Sequence, residues 1–138
     1  MDVIPFRREH LKGFKPQPRQ AGVLNAPAHQ LAELEKSYSF SVFKDGECLA
    51  IGGFVEQWAG RWLAWCALSR TSGKDLVALT RVALRHLATL KHQRVEASVE
   101  ADFEEGHRWL TFLGFECDAP LMREYVPGQD HALYSRVS

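Results

Sequence analysis

"RVEASVEADFEEGHRWLTFLGFE", Arg94 to Glu116, is the stretch on which the fold turns. Its first residues alternate: Val95, Ala97 and Val99 fall on one face, Glu96, Ser98 and Glu100 on the other, which is the period of a strand. From Glu104 the period lengthens. Trp109, Leu110 and Leu113 share one helical face, and Gly114 supplies the left-handed stop on which many helices end. The chain then enters another strand, so a short helix sits between two extended segments.

Upstream, Leu76, Leu79, Val82, Ala83 and Leu87 mark the buried face of a longer helix, with Arg81, Arg85 and Lys91 on its solvent side. Three strands precede it. "YSFSVFKDGE" places Tyr38, Phe40 and Val42 on one face and ends in an Asp45-Gly46 hairpin turn. "CLAIGGFVEQ" is its partner, where Gly52-Gly53 signals a bulge or a close backbone approach. After a turn at Ala59-Gly60, "RWLAWCALS" is apolar on both faces, as a strand covered on both sides would be. "DVIPF" is a short first strand. Three prolines keep any helix in "KPQPRQAGVLNAP" short, and Leu31 and Leu34 give "APAHQLAELEKS" one apolar face. "MREYVPGQDHALYSRV" reads as two strands around Pro127-Gly128. Strand–helix–strand units mixed with a meander predict a single α/β, or layered α+β, domain over residues 1–138.

Composition narrows the function. Apolar residues make up 46% and charged residues 25%, as in a folded globular chain. Lys plus Arg and Asp plus Glu number 17 each, so no net field draws the chain to nucleic acid or an acidic membrane. Cys48, Cys66 and Cys117 form no C-x-x-C pair and read as free thiols. No apolar run approaches the roughly 18 residues of a membrane span, and the N-terminus lacks the pattern of a secretory signal, so a cytoplasmic protein is expected. No zinc spacing, Ser-His-Asp pattern, P-loop or dinucleotide fingerprint is present.

The order of elements, the loop "SRTSGKD" with the helix after it, and the Leu-Gly-Phe at Leu113–Phe115 together resemble the GNAT N-acetyltransferase superfamily. The resemblance covers roughly residues 38 to 137. It implies a central, mixed but mostly antiparallel sheet of about six to seven strands flanked by about four helices. It also implies acetyl-CoA as cofactor, with the diphosphate at the loop–helix junction and the short helix beside the pantetheine arm. The C-terminal pattern is similar to that of small GNAT-like proteins encoded by tailed phages and prophages, which would place the protein in the cytoplasm of a bacterial host or in a virion. A C-terminal strand that pairs between subunits in that superfamily makes a homodimer a further expectation.

A diphosphate needs converging backbone N–H groups, a helix N-terminus and no side chain in the way. Arg70, Ser72, Gly73 and Lys74 are the candidates, although the family's glycine-rich run is reduced here to Gly73. Ser72 and Asp75 also have the spacing of a capping box, and Asp75 would repel phosphate. Acetyl transfer needs a deprotonated amine, an N–H donor for the oxyanion and a proton for the departing thiolate. By resemblance the oxyanion donor is the Leu68 amide. The family's tyrosine acid falls at Leu110 and its asparagine at Phe103, beside Asp102. Glu56, Glu100 and Asp102 lie near strand ends and are candidate bases, with Asp102 and Glu105 also spaced as a helix cap; His107 could titrate near neutrality. Two readings result. One is an acetyl-CoA-dependent N-acyltransferase acting on a small-molecule or protein amine. The other is a non-catalytic protein of the same fold, a phage virion or morphogenesis component or a binder of a host protein.

Overall fold

The computed structural model describes residues 1–71 and 73–138. Seven strands form one sheet: β1 (Asp2–Pro5), β2 (Tyr38–Lys44), β3 (Glu47–Trp58), β4 (Arg61–Leu68), β5 (Arg94–Glu100), β6 (Glu116–Val126) and β7 (Gln129–Val137). Their order is β1-β2-β3-β4-β5-β7-β6. The helices are α1 (Ala28–Lys36), α2 (Gly73–Ala88) and α3 (Glu104–Phe112), with 3-10 segments at Arg8–Leu11 and Pro18–Asn25. The chain falls into two compact units, Met1–Val55 with Ala64–Val82, and Glu56–Leu63 with Ala83–Ser138.

In the first unit, β1 runs antiparallel to β2 from Asp2↔Phe43 to Pro5↔Phe40, and β2 to β3 from Tyr38↔Phe54 to Lys44↔Glu47. Asp45 (φ 51°) and Gly46 (φ 80°) are both left-handed, the conformation a two-residue hairpin needs to match the strand twist. The register steps from Val42↔Ala50 to Phe43↔Cys48, so the bulged residue is Leu49 and not the Gly52-Gly53 pair. Those glycines mark a close approach instead: a Cβ on Gly53 would stand 2.5 Å from Ser39 Cα, and one on Gly52 2.9 Å from the Trp65 carbonyl oxygen.

Both faces of this part of the sheet are covered. Val42 and Ala50 meet Leu79 and Val82 of α2. On the other side Phe6, Phe14, Ile51 and Ala67 form a core onto which Leu31 and Leu34 of α1 pack. Ser39 and Ser41 are buried between the predicted apolar positions of β2, where they bond to the Leu34 carbonyl and to His10 Nδ1. β4 is less covered than its composition predicts: Ala67 is buried, Cys66 is exposed, and the rest are half-buried. Leu76, placed by periodicity on the buried face of α2, is also exposed.

In the second unit the start of β4 pairs in parallel with β5, from Arg61↔Arg94 to Leu63↔Glu96. β5 pairs antiparallel with β7 from Arg94↔Val137 to Glu100↔His131, and β7 with β6. Gly106 lets α3 lie against β5, since a Cβ there would stand 2.6 Å from Val99 Cγ2. α3 stops as its sequence predicts. Gly114 has φ 93°, its N–H donates to the Thr111 carbonyl, and the Phe115 N–H donates to the Leu110 carbonyl. This is the paired arrangement of a Schellman ending.

Candidate functional site

The candidate site in the first unit is the end of β4 and the loop after it. The Ser69 N–H donates to the Leu49 carbonyl at 2.9 Å, which ties that residue to β3. Alternation along a strand then turns the N–H and C=O of Leu68 and Cys66 to the opposite edge. The N-terminal segment meets this edge. Pro16 bridges Ser69 in antiparallel fashion, and the Gln17 N–H donates to the Leu68 carbonyl at 2.8 Å. The Leu68 N–H, the candidate oxyanion donor, donates to Gln20 Oε1 at 2.6 Å. Gln20 Nε2 donates to the Cys66 carbonyl at 3.3 Å, and Gln17 Nε2 donates to Gln20 Oε1 at 2.8 Å.

Beyond Leu68, Arg70 and Lys74 are exposed. Gly73 opens the 16-residue α2, and a Cβ there would meet nothing within 4 Å. The first amides of a helix lack intrahelical partners and favour an anion. Ser72 lies outside the described residues, so its part in a cap or in phosphate binding does too. Asp75 is held by Lys44 Nζ at 2.8 Å, and that bond raises the Lys44 pKa. The carboxylate expected to repel phosphate therefore carries a counter-charge from the β2–β3 hairpin.

The candidate acid–base residues belong to the second unit. Glu56 on β3 is exposed, Glu100 is half-buried at the end of β5, and Asp102 is exposed in the turn that follows. The predicted Asp102–Glu105 cap does not form: the N-cap of α3 is Phe103, with no side-chain cap bond, because α3 begins one residue later than that spacing requires. His107 has both ring nitrogens engaged, Nε2 with the Ala101 carbonyl at 2.9 Å and Nδ1 with the Tyr134 hydroxyl at 2.7 Å. A carbonyl only accepts, so in the neutral ring the proton sits on Nε2 and Tyr134 O–H donates to Nδ1. Burial raises the Tyr134 pKa, which keeps that proton in place. Leu110, at the position of the family's tyrosine, is a core residue.

Three features escape a linear reading. Gln17 and Gln20 sit in a proline-broken segment without period. Lys44 reads only as the end of a hairpin. Glu96, on the face of β5 opposite Val95, Ala97 and Val99, is 6% exposed. It is bound by Arg61 Nη2 at 2.6 Å and Arg94 Nε at 2.6 Å, and Arg94 Nη2 also reaches Asp118 at 2.8 Å. The Arg61 guanidinium, 4.4 Å from the Trp58 ring, completes the cluster. Trp65 packs edge-on to Phe6, and Trp62 Nε1 donates to Gln93 Oε1, so these rings serve packing. Among the described residues no group of His, Cys, Asp and Glu could hold a metal ion, and no helix is long and apolar enough to cross a membrane.

No protein-family profile and no curated protein matches the chain. Solved structures do. Ard1 from Thermoplasma volcanium is 14% identical with a TM-score of 0.77, the match covering 99% of this chain and 96% of that one. An N-acetyltransferase from Staphylococcus aureus Mu50 is 10% identical with a TM-score of 0.72, covering 99% and 96%. The ribosomal-protein-S5-alanine acetyltransferase from Vibrio fischeri is 19% identical with a TM-score of 0.62, covering 94% and 81%. The narrower likeness to phage-encoded proteins finds no support among these neighbours. At such identities the likeness is one of fold, a fold shared with acetyltransferases of the GNAT family from Bacillus cereus and Bacillus anthracis.

Proposed function

We propose that the chain is an acetyl-CoA-dependent N-acyltransferase whose acceptor is a small-molecule or protein amine. The observation that carries the reading is the open start of α2, with Gly73 unobstructed, Arg70 and Lys74 exposed, and the nearby Asp75 neutralised by Lys44. The near-full-length likeness to N-acetyltransferases supports it. In this reading the Gly73 amide, with Arg70 and Lys74, holds the cofactor's diphosphate. Bound acetyl-CoA supplies the thioester carbon that the amine attacks. In the same reading the Leu68 amide is the oxyanion donor.

Isothermal titration of acetyl-CoA into the wild type and a Gly73→Glu variant tests the proposal. The open space at Gly73 means the variant should keep the fold while its carboxylate repels the diphosphate. A dissociation constant in the micromolar range, weakened at least tenfold in the variant, is the expected result. No heat at millimolar acetyl-CoA, at two temperatures and with the protein folded, would overturn it.

A second reading, a non-catalytic binder of a protein partner, is favoured by one observation: the Leu68 amide needed for the oxyanion already has an acceptor in Gln20. A protein that binds acetyl-CoA yet releases no free thiol with any member of a broad amine panel would fit it.

A further inference from the structure

We propose that Gln20 is an internal stand-in for a ligand: its side-chain carboxamide occupies the free backbone edge of β4 at Cys66 and Leu68 and has to swing away before acetyl-CoA can use the Leu68 amide. The inference rests on the acetyl-CoA reading above and concerns when that site is available. With the Leu68 carbonyl taken by Gln17, the groups Gln20 meets on this edge are one donor, the Leu68 N–H, and one acceptor, the Cys66 carbonyl. A primary carboxamide offers the complementary pair, and Gln20 uses both, with Oε1 on Leu68 and Nε2 on Cys66. An extended ligand carrying an amide and a carbonyl would present the same two groups to the same two atoms. Ligand and side chain therefore compete for one set of hydrogen bonds.

The contact is also built to be released. The Pro18–Asn25 segment that carries Gln20 has no buried residue, whereas Phe14, just before it, is anchored in the core at 4% exposure. Backbone bonds at Pro16 and Gln17 fix the start of the strap. Gln20 itself is placed by further side-chain contacts, from Gln17 Nε2 and with the Cys66 thiol. A swing of the Gln20 side chain alone leaves Val23, by which this segment packs on the core, in place, and the two edge atoms it leaves are taken up by the incoming ligand. A site that is closed most of the time binds with an apparent affinity reduced by its open fraction.

Two variants test this. Gln20→Ala removes both polar atoms, and Gln20→Met removes them while keeping most of the side-chain volume, so that loss of fold in one leaves the other to carry the same expectations. In the free proteins, exchange of the Leu68 amide followed by nuclear magnetic resonance should be at least tenfold faster in either variant than in the wild type. Acetyl-CoA should bind the variants about five- to tenfold more tightly, the size of one hydrogen-bonded closure removed. Equal or weaker binding by variants whose Leu68 amide has been freed would overturn the gate and leave Gln20 a purely structural residue. Unchanged exchange would overturn it earlier, by showing that Gln20 does not hold the edge in solution. Absence of binding by all three proteins would instead overturn the acetyl-CoA reading, and the gate with it.

Discussion

Gly114 is required twice. Its φ of 93° excludes most side chains, and an added Cβ would stand 3.3 Å from Arg136 Nε, whose N–H donates to the Leu113 carbonyl at 3.1 Å. Gly114→Ala should cost about 1–2 kcal/mol in urea unfolding. Glu96 poses a different single-residue question. The Arg61 hydrogen bond, against the cost of burial and with help from Arg94, lowers its pKa below the ordinary glutamate value. The folded protein thus holds this proton less tightly than the unfolded chain. The stability it contributes is whole above the ordinary range, near pH 4, and is lost as pH falls through the depressed native value. Glu96→Gln should therefore lower the melting temperature by roughly 5 °C at pH 7. Below about pH 4 the gap to the wild type should close in a melting series, whereas a gap independent of pH would show that charge is not the cause.

Among the elements, the β2–β3 hairpin depends on its glycines for proximity as much as for its turn. A Cβ at Gly53 would meet backbone atoms of Tyr38 and Ser39, both at 2.5 Å. Backbone cannot step aside as a side-chain tip can, so Gly53→Ala should destabilise by about 2–3 kcal/mol, read as a lower denaturant midpoint at unchanged m-value. β6 behaves differently. It is an edge strand with three register shifts against β7, Pro120 in its middle, and Glu124 at φ 51°. Such interruptions are how edges resist pairing with another chain. A homodimer built along β6 would have to overcome all of them; the C-terminal strand on which the resemblance rests a homodimer is β7, which lies between β5 and β6.

These cases also separate what a linear reading can reach from what it cannot. Asp45-Gly46 and Gly114 were legible because their signals are local: turn chemistry and a break in period act within a few residues. Gly52-Gly53 was half legible, since a close approach and a bulge leave the same mark in sequence. The burial of Glu96 was not legible: alternation only sets it opposite Val95, Ala97 and Val99, and Arg61, which with the neighbouring Arg94 makes that burial tolerable, comes from β4. Leu76 failed in the opposite direction, an apolar residue at the right period on a turn of α2 that the core does not reach.

For the whole molecule, the loop residues Arg70, Gly73 and Lys74 could be chosen from sequence, but whether the loop can hold an anion depends on Lys44, a partner of Asp75 from a distant hairpin. Acetyl-CoA at about a hundred times its dissociation constant should raise the melting temperature by roughly 9 °C, by mass action on the folded state. In Lys44→Met the unshielded Asp75 should weaken binding several-fold, so that the same ligand concentration gives a visibly smaller rise. An undiminished rise would mean that Asp75 does not face the bound ligand.

The strap over β4 has one more consequence, and it concerns time. Gln20 and Leu68 are 48 residues apart, while the β2–β3 and β6–β7 hairpins close over a few residues each. Long closures form late, because their chain entropy is spent before their contacts repay it. The Leu68 amide should therefore gain its protection later in folding than the amides of the two hairpins, as pulse-labelling hydrogen exchange would read. The first opening of the site would then be a stage of folding.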